Sequence, residues 1–358
     1  RIGRRVIPTL LKEFKVPFLV DKKKDSEEVF GLRVCDLREA APLIKERNLK
    51  IVVTTVRSSY DEISKELILC GFREYQDFCM FERFAEEWNL RWRNKCVLSK
   101  IDTVITSRCT LKCRNCNLFI GYANQHADME LCELQRNFDT FFGSVDFVYE
   151  YTLLGGEPFL HAELEQIFSY LMEKYGDRIG KVNLISNGTV VPCDTVLELM
   201  KKYEISVHIS DYTQTVKYEK KLAEVIEAFS KKGIEYYVIP NNTWKDVKYP
   251  GEEFTAEKPR EHMLLCGHST HSVGNGKLYW CDPAFAAECF TGFKAMEDDS
   301  LDLIKNRENN SKHQAALNIL KYMLGDVNER GYMSICEKCA GVGKDNSVIV
   351  TAGLQMNS

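Results

Sequence analysis

"SRCTLKCRNCNLF", Ser107–Phe119, places thiols at Cys109, Cys113 and Cys116 in the spacing C-x3-C-x2-C. It directly follows "IDTVIT" (Ile101–Thr106), a β-branched apolar run that reads as a strand. Three thiolates leave one iron of a cubane [4Fe–4S] cluster without a protein ligand, and an open iron can bind a small molecule through an amine and a carboxylate. Tetrahedral zinc ordinarily takes a fourth ligand, and this spacing is not its usual one. The chain holds 14 cysteines in 358 residues. Disulfide frameworks suit small secreted domains, whereas clustered cysteines in a chain of this size point to metal.

Outward from the triad, strands and helices alternate. A helix near Met129–Phe142 is followed by the strand "FVYEYTLL" (Phe147–Leu154), and a helix near Ala162–Lys174 by the strand "KVNLIS" (Lys181–Ser186). A helix near Asp194–Lys202, the strand "ISVHIS" (Ile205–Ser210), a helix near Val216–Lys232 and "IEYYVI" (Ile234–Ile239) complete the pattern. Five β/α repeats with short connections read as a partial TIM-like barrel, without an evident sixth strand. Chemistry in such barrels lies at the C-terminal ends of the strands, where the triad falls.

Residues 1–97 read as a separate α/β unit. Its elements are a helix near Arg5–Phe14, "VPFLVD" (Val16–Asp21), "GLRV", a helix near Asp36–Arg47, "KIVVTTV" (Lys50–Val56) and a helix near Tyr60–Cys70. That alternation predicts a small parallel, Rossmann-like sheet. No G-x-G-x-x-G fingerprint accompanies it, and Asp21 at a strand end is weak support for ribose binding, so a structural or partner-docking role is expected. Cys35, Cys70 and Cys79 lie on its apolar segments and are expected in its core. Residues 98–257 form the barrel, and 258–358 carry a hairpin, a helix near His313–Leu324 and a second group of cysteines.

A net charge of −4 and a pI near 6.1 give no footprint for nucleic acid. No apolar run approaches the roughly 18 residues of a membrane span. No signal peptide is recognised, and a cytoplasmic location is expected. The chain begins at Arg1, so its true start is expected upstream.

Cys109, Cys113 and Cys116 match the signature of the radical S-adenosylmethionine (SAM) superfamily, and further segments resemble it at the expected strand ends. "LLGGEPFL" brings Gly155, Gly156, Glu157 and Pro158 to the end of the second strand. The resemblance implies that this segment holds the SAM amino group; glycines let backbone come close and their carbonyls accept from an ammonium. "ISNGT" (Ile185–Thr189) and "ISDYT" (Ile209–Thr213) end the third and fourth strands. By resemblance Ser186 and Asn187, with Ser210, lie near the SAM carboxylate and ribose; strand-end capping is an equal reading for the serines. Asn115 departs from the aromatic residue most members carry near the adenine. The implied cofactors are a SAM-binding [4Fe–4S] cluster and SAM itself, with an electron from a flavodoxin- or ferredoxin-type reductant.

"CGHSTHSVGNGKLYWC" runs from Cys266 to Cys281. Asn275-Gly276 is a strong hairpin signal, because both turn positions need positive φ, and it folds the two cysteines toward each other. "CEKC" adds Cys336 and Cys339. The arrangement C-x9-G-x4-C followed by C-x2-C resembles the twitch form of the SPASM-like auxiliary-cluster domain, which implies one auxiliary [4Fe–4S] cluster; structural zinc uses the same four ligands. Cys289 is the spare thiol of this region, either a hydrogen-atom donor or an inert core residue.

One auxiliary cluster near substrate suits oxidation of a carbinol carbon. The pattern resembles radical SAM proteins of surface-polysaccharide clusters and the 2-deoxy-scyllo-inosamine dehydrogenases, which implies a small sugar, nucleotide-sugar or cyclitol substrate that is dehydrogenated or epimerised. Asp211 and Tyr212 follow the fourth strand and suit hydroxyl binding or proton removal, although an Asx-turn would also place an aspartate there. Crosslinking of a ribosomal peptide is the alternative, set back by the absence of a winged-helix pattern ahead of the barrel. A redox sensor is a third class, but it has no need of "GGEP".

Overall fold

The computed structural model describes residues 2–22, 27–55, 57–266 and 270–356. The chain divides into two compact units, Arg1–Arg93 and Asn94–Ser358. Residues 258–358 therefore share one unit with the barrel strands.

The first unit contains α1 (Ile2–Glu13), β1 (Leu19–Val20), β2 (Glu28–Val29), β3 (Leu32–Cys35), α2 (Leu37–Glu46), β4 (Ile51–Val53), α3 (Arg57–Leu69), β5 (Phe78–Met80) and α4 (Phe81–Arg93). Strand order is β1-β3-β2 in one sheet and β4-β5 in another. The pairs β1/β3 and β4/β5 are parallel, but β2/β3 is antiparallel. The expected single parallel sheet is thus replaced, among the described residues, by two small ones. The cause is local: Phe30 and Gly31 both adopt positive φ (55° and 73°), the geometry of a two-residue hairpin. The expected strand through Val56 ends earlier, at Val53, and Val56 itself lies outside the described residues. Asp36 caps α2, its Oδ1 accepting from the Glu39 N–H at 2.9 Å. The core gathers Cys35, Ala40, Ile44, Val53, Leu67, Phe72 and Phe78. Cys70 packs against that core, and burial pushes the half-buried Cys79 thiol up to about 11.

The second unit begins with β6 (Val97–Thr106), then α5 (Leu131–Ser144), β7 (Phe147–Gly155), α6 (Leu164–Tyr175), β8 (Ile179–Ser186), α7 (Asp194–Lys202), β9 (Ser206–Asp211), α8 (Glu219–Lys232) and β10 (Tyr236–Pro240). There follow β11 (Thr243–Lys245), α9 (Pro259–Leu265), β12 (Ser272–Gly274), β13 (Lys277–Tyr279), α10 (Asp282–Phe290), β14 (Ser300–Asp302), α11 (Leu303–Glu308), α12 (Lys312–Met323) and β15 (Ile349–Thr351). One eight-stranded sheet runs β10-β9-β8-β7-β6-β12-β13-β14. Strands β6 to β10 are parallel neighbours in chain order, as the β/α rhythm requires.

Among the described residues no sixth repeat extends the sheet beyond β10. It grows instead from the opposite edge: Ser272 of β12 pairs with Asp102 of β6, and the hairpin β12/β13 then carries β14. Asn275 and Gly276 take φ of 53° and 71°, so the Asn-Gly turn forms as its residues dictate.

Alternation along the strands sends one set of side chains to the helices. Tyr151 is fully buried, packs against Phe138, Phe141 and Phe142 of α5, and shares a 2.8 Å hydrogen bond with Thr103. The other face is polar at one level. Asp102, Thr152, Asn183 and Ser206 stand side by side across four strands and are no more than 1% exposed. Ser206 donates to Asn183 Oδ1, and Lys100 Nζ lies 3.4 Å from Asp102. Among the described residues no helix is long and apolar enough to cross a membrane.

The Phe141→Ala variant removes a ring 1% exposed from this aromatic cluster. It should destabilise the second unit by about 3–5 kcal/mol, read as a shift in the urea unfolding midpoint.

Candidate active site

The cysteine loop leaves the end of β6 under close backbone constraint. Thr106 Oγ1 donates to Asp128 Oδ1 at 2.7 Å, and the Arg108 guanidinium reaches Asp128 Oδ2 at 2.9 Å and the Leu160 carbonyl at 2.8 Å. The Gly156 N–H donates to the Thr106 carbonyl at 2.9 Å, and the Glu157 N–H to the Arg108 carbonyl at 2.8 Å. Neither glycine tolerates a side chain: a Cβ on Gly155 would lie 2.3 Å from the Thr106 carbonyl oxygen, and one on Gly156 2.1 Å from that of Arg108. The two glycines are thus demanded by protein backbone, in addition to any ligand.

Glu157 is fully buried and accepts from the Ser186 hydroxyl at 2.9 and 3.0 Å, the Asn187 N–H at 2.8 Å and the Phe159 N–H at 3.2 Å. Burial pushes its carboxyl up to about 7, against the opposing pull of those donors. Ser186 also accepts from the Gly188 N–H at 3.0 Å. Its one hydroxyl proton is committed to Glu157, so Ser186 braces the neighbouring strand end. Pro158 is buried and opens a short 3₁₀ turn.

Two sulfurs of the triad, those of Cys109 and Cys113, accept N–H groups. Cys109 Sγ accepts from the Leu111 N–H at 3.4 Å and from the Asn187 side-chain amide at 3.5 Å. Cys113 Sγ accepts from Gln355 Nε2 at 3.3 Å. Around Cys116 the backbone N–H groups of Ile120, Leu118 and Phe119 oppose the rise of its thiol, and the Phe119 N–H donates to the Cys116 carbonyl at 2.9 Å. Burial raises all three thiols, Cys109 to about 12 and Cys113 to about 11, and for these two the charge of Cys116 adds to the rise. Three thiolates near enough for their charges to act on one another need a compensating cation, which an iron–sulfur cluster supplies. The donor set and the N–H groups aimed at sulfur fit that group.

Across the strand ends, burial also raises the Tyr212 phenol; Ser210 is its hydroxyl partner, and Cys116 and Cys113 are near enough to act on its charge. Its ring meets Trp244 edge-on at 5.3 Å. Asp211 Oδ1 accepts from the Thr213 N–H at 2.8 Å, the Asx-turn that the sequence also allowed. Asn115 turns to Asp246, donating at 3.0 Å.

Residues 103–249 match the model of the Radical SAM superfamily. This segment is a radical SAM domain. It takes in the triad, the Gly155–Pro158 segment and the ends of β6 to β9. No curated protein gives a match. Among solved structures, anSMEcpe with bound AdoMet is 19% identical, with a TM-score of 0.33, over 41% of this chain and 45% of that one. BtrN in complex with AdoMet and 2-DOIA is 14% identical, with a TM-score of 0.40, over 68% of this chain and 93% of that one. Streptococcus suis SuiB bound to S-adenosylmethionine is 16% identical, with a TM-score of 0.30, over 42% and 34%. The match spans less than half the length of the anSMEcpe chain.

C-terminal to the radical SAM domain, the other four cysteines of interest come together. Cys266 closes α9, Cys281 sits at the N-cap of α10, and Cys336 and Cys339 lie in and just after a 3₁₀ turn at Ser334–Glu337. All four line one cleft, together with His262, Trp280 and Gly341. Burial and the charges of Cys336, Cys266 and Cys339 hold the Cys281 thiol far above its usual range. Gly341, at φ 65°, leaves no room for a side chain beside Cys266 Sγ, 2.9 Å from where its Cβ would be. His262 bridges the cleft wall, Nδ1 to Asp345 Oδ2 at 2.5 Å and Nε2 to the Cys339 carbonyl at 2.8 Å. Among the described residues, no three His, Cys, Asp or Glu side chains converge on a single ion position. Gly267–Ser269 of the predicted hairpin arm lie outside the described residues.

Cys289 is placed apart. It accepts from Asn275 Nδ2 at 3.3 Å, and the charged groups acting on it are Glu288, Lys277 and Glu133. The structure brings no triad residue among these neighbours. Two contacts were missed by sequence reasoning. Gln355 on Cys113 is separated by 242 residues and has no local signal. By resemblance Asn187 was placed near SAM; its amide also touches Cys109, a contact with no local sequence signal.

Glu157 yields a pH test. Its folded carboxyl titrates near 7, above the model-peptide range near 4.3. Its contribution to stability is therefore full below the unfolded value and is lost as pH rises through about 7. Urea unfolding at pH 5 and pH 8 should show a smaller loss of stability in Glu157→Gln than in the native chain. An equal loss in both would mean that Glu157 stays ionised throughout.

Proposed function

We propose that the chain is a radical SAM oxidoreductase or epimerase acting at a carbinol carbon of a sugar, nucleotide sugar or cyclitol. In this reading residues 258–358 are a twitch-type domain in which Cys266, Cys281, Cys336 and Cys339 hold a second [4Fe–4S] cluster. The observation that carries it is the cleft lined by those four thiols in the same compact unit as the radical SAM domain. A single zinc would draw the four sulfurs to about 2.3 Å from one point. The four thiols lining the cleft are a donor set that either group takes, and the radical SAM segment in the same unit favours the cubane.

When bound, the triad cluster and SAM, given an electron by a flavodoxin- or ferredoxin-type reductant, supply a 5′-deoxyadenosyl radical that takes a hydrogen atom from carbon, and the second cluster offers a one-electron acceptor. The chain's own residues do the rest. Gly155 and Gly156 let the neighbouring strand end close on the cysteine loop, and Glu157 fixes Asn187 against Cys109. Tyr212, kept protonated by burial and oriented by Ser210, offers a hydrogen-bond donor to a substrate hydroxyl near the triad. Asp211, held by Thr213, is the adjacent carboxylate for a hydroxyl proton.

Reconstituted, reduced protein incubated with SAM, nucleotide sugars and aminocyclitols in deuterated water tests the reading by product mass. A product lighter by two hydrogens, matched by 5′-deoxyadenosine, makes it a dehydrogenase; one carbon-bound solvent deuterium makes it an epimerase. No rise in 5′-deoxyadenosine with any sugar, but a rise with a small precursor peptide, transfers the protein to peptide modification. Cys266→Ala should lower bound iron from about eight to about four per chain, with SAM cleavage partly kept. Unchanged iron in that variant removes the second cluster.

A further inference from the structure

The segment after β15 returns across the molecule to the cysteine loop. The strand β15 is first anchored on β11, with Val350 opposite Trp244. Gly353, at φ 74°, then passes the Tyr212 ring so closely that a Cβ would lie 3.0 Å from Tyr212 Cβ. Beyond it the chain pairs antiparallel with the triad loop, Gln355 opposite Cys113. The Arg114 N–H donates to the Leu354 carbonyl and the Met356 N–H to the Lys112 carbonyl, both at 2.7 Å. The Met356 sulfur fills the space above Gly121, 2.4 Å from where a Cβ would sit.

The Gln355 side chain is held at both ends of its amide. Its Oε1 accepts from the Lys112 N–H at 2.7 Å, and its Nε2 donates to the Gly353 carbonyl at 2.6 Å and to Cys113 Sγ at 3.3 Å. The amide cannot rotate without losing all three contacts, so its N–H stays aimed at sulfur. Cys109 accepts from the Leu111 N–H of its own loop and from the Asn187 amide, whereas the donor to Cys113 comes from this distant strap.

We infer that Gln355 is a positioning residue for the cluster of the radical SAM domain: its N–H···S contact with Cys113 stabilises the extra negative charge of the reduced state and so raises the reduction potential. The inference rests on the reading that the triad holds the cluster. Hydrogen bonds to cluster sulfurs are among the determinants of such potentials. The same strap touches Tyr212, so the segment that sets the potential also borders the proposed substrate side.

The test compares the full-length native chain, Gln355→Leu and Gln355→Glu after cluster reconstitution. Iron is measured chemically, and the triad cluster is followed by electron paramagnetic resonance in redox titrations, recognised by the change in its signal on adding SAM. Gln355→Glu keeps an acceptor for the Lys112 N–H but replaces the donor by a carboxylate. At a solution potential equal to the native midpoint, the ratio of reduced to oxidised cluster should fall about three- to tenfold in Gln355→Leu and at least as far in Gln355→Glu, with iron content unchanged. Native midpoints in both variants overturn the inference, and so does loss of iron from both, which would make the strap a clamp on the loop. A native chain that takes up no SAM-responsive cluster refutes the reading beneath it instead, and is told apart by that result alone.

Discussion

The site depends on a place where two backbones touch with no room for a side chain between them. Gly155 and Gly156 lie against Thr106 and Arg108, and the carbonyls of those two residues take the N–H groups of Gly156 and Glu157. This contact ties the end of β7 to the start of the cysteine loop. Glu157, carried inward by the same turn, then binds Ser186 and Asn187 and fixes the end of β8. Three strand ends thereby become one rigid rim, and the Asn187 amide meets Cys109 as a result. A buried carboxylate surrounded by donors is costly to form and costly to break, which suits a residue whose task is to hold others still.

The β/α rhythm and the cysteine spacing were legible because they are local. The strand "IDTVIT" lies within β6, the Asn-Gly turn takes the φ values it requires, and the helix expected at Asp194–Lys202 has those bounds. The first unit was less legible. Its strands are two to four residues long, too short for alternation to show, and α4 follows β5 without any turn residue to mark its start. The extension of the sheet at the β6 edge was also hidden, since one Ser272–Asp102 pair joins segments 170 positions apart, from 102 to 272. At the site, residue types pointed to the right neighbourhood but not to roles. Ser186 admitted ligand contact or strand-end capping and here binds Glu157, and Asp211 makes the Asx-turn that was one of its two readings.

The two thiol groups belong to one compact unit. The hairpin that separates Cys266 from Cys281 is itself part of the barrel sheet, and Asp282, next to Cys281, accepts from Thr270 at 2.8 Å and from Ser272 beside β6. The cysteines of the cleft are thus referenced to the same strands that carry the triad. Cys281 is thereby tied, through Asp282 and Ser272, to the strand that leads into the triad loop.

The pairing of Gln355 with Cys113 has a consequence for the order in which the protein is made. The triad loop leaves the ribosome long before its partner strap, with 242 residues intervening. Domains fold during synthesis at about 5–20 residues per second, so the loop spends on the order of ten seconds or more without that wall. Cys113 acquires this donor only after the intervening residues have been made. Metal delivered to the emerging chain meets an unfinished loop, whereas metal delivered to the released protein meets a completed one.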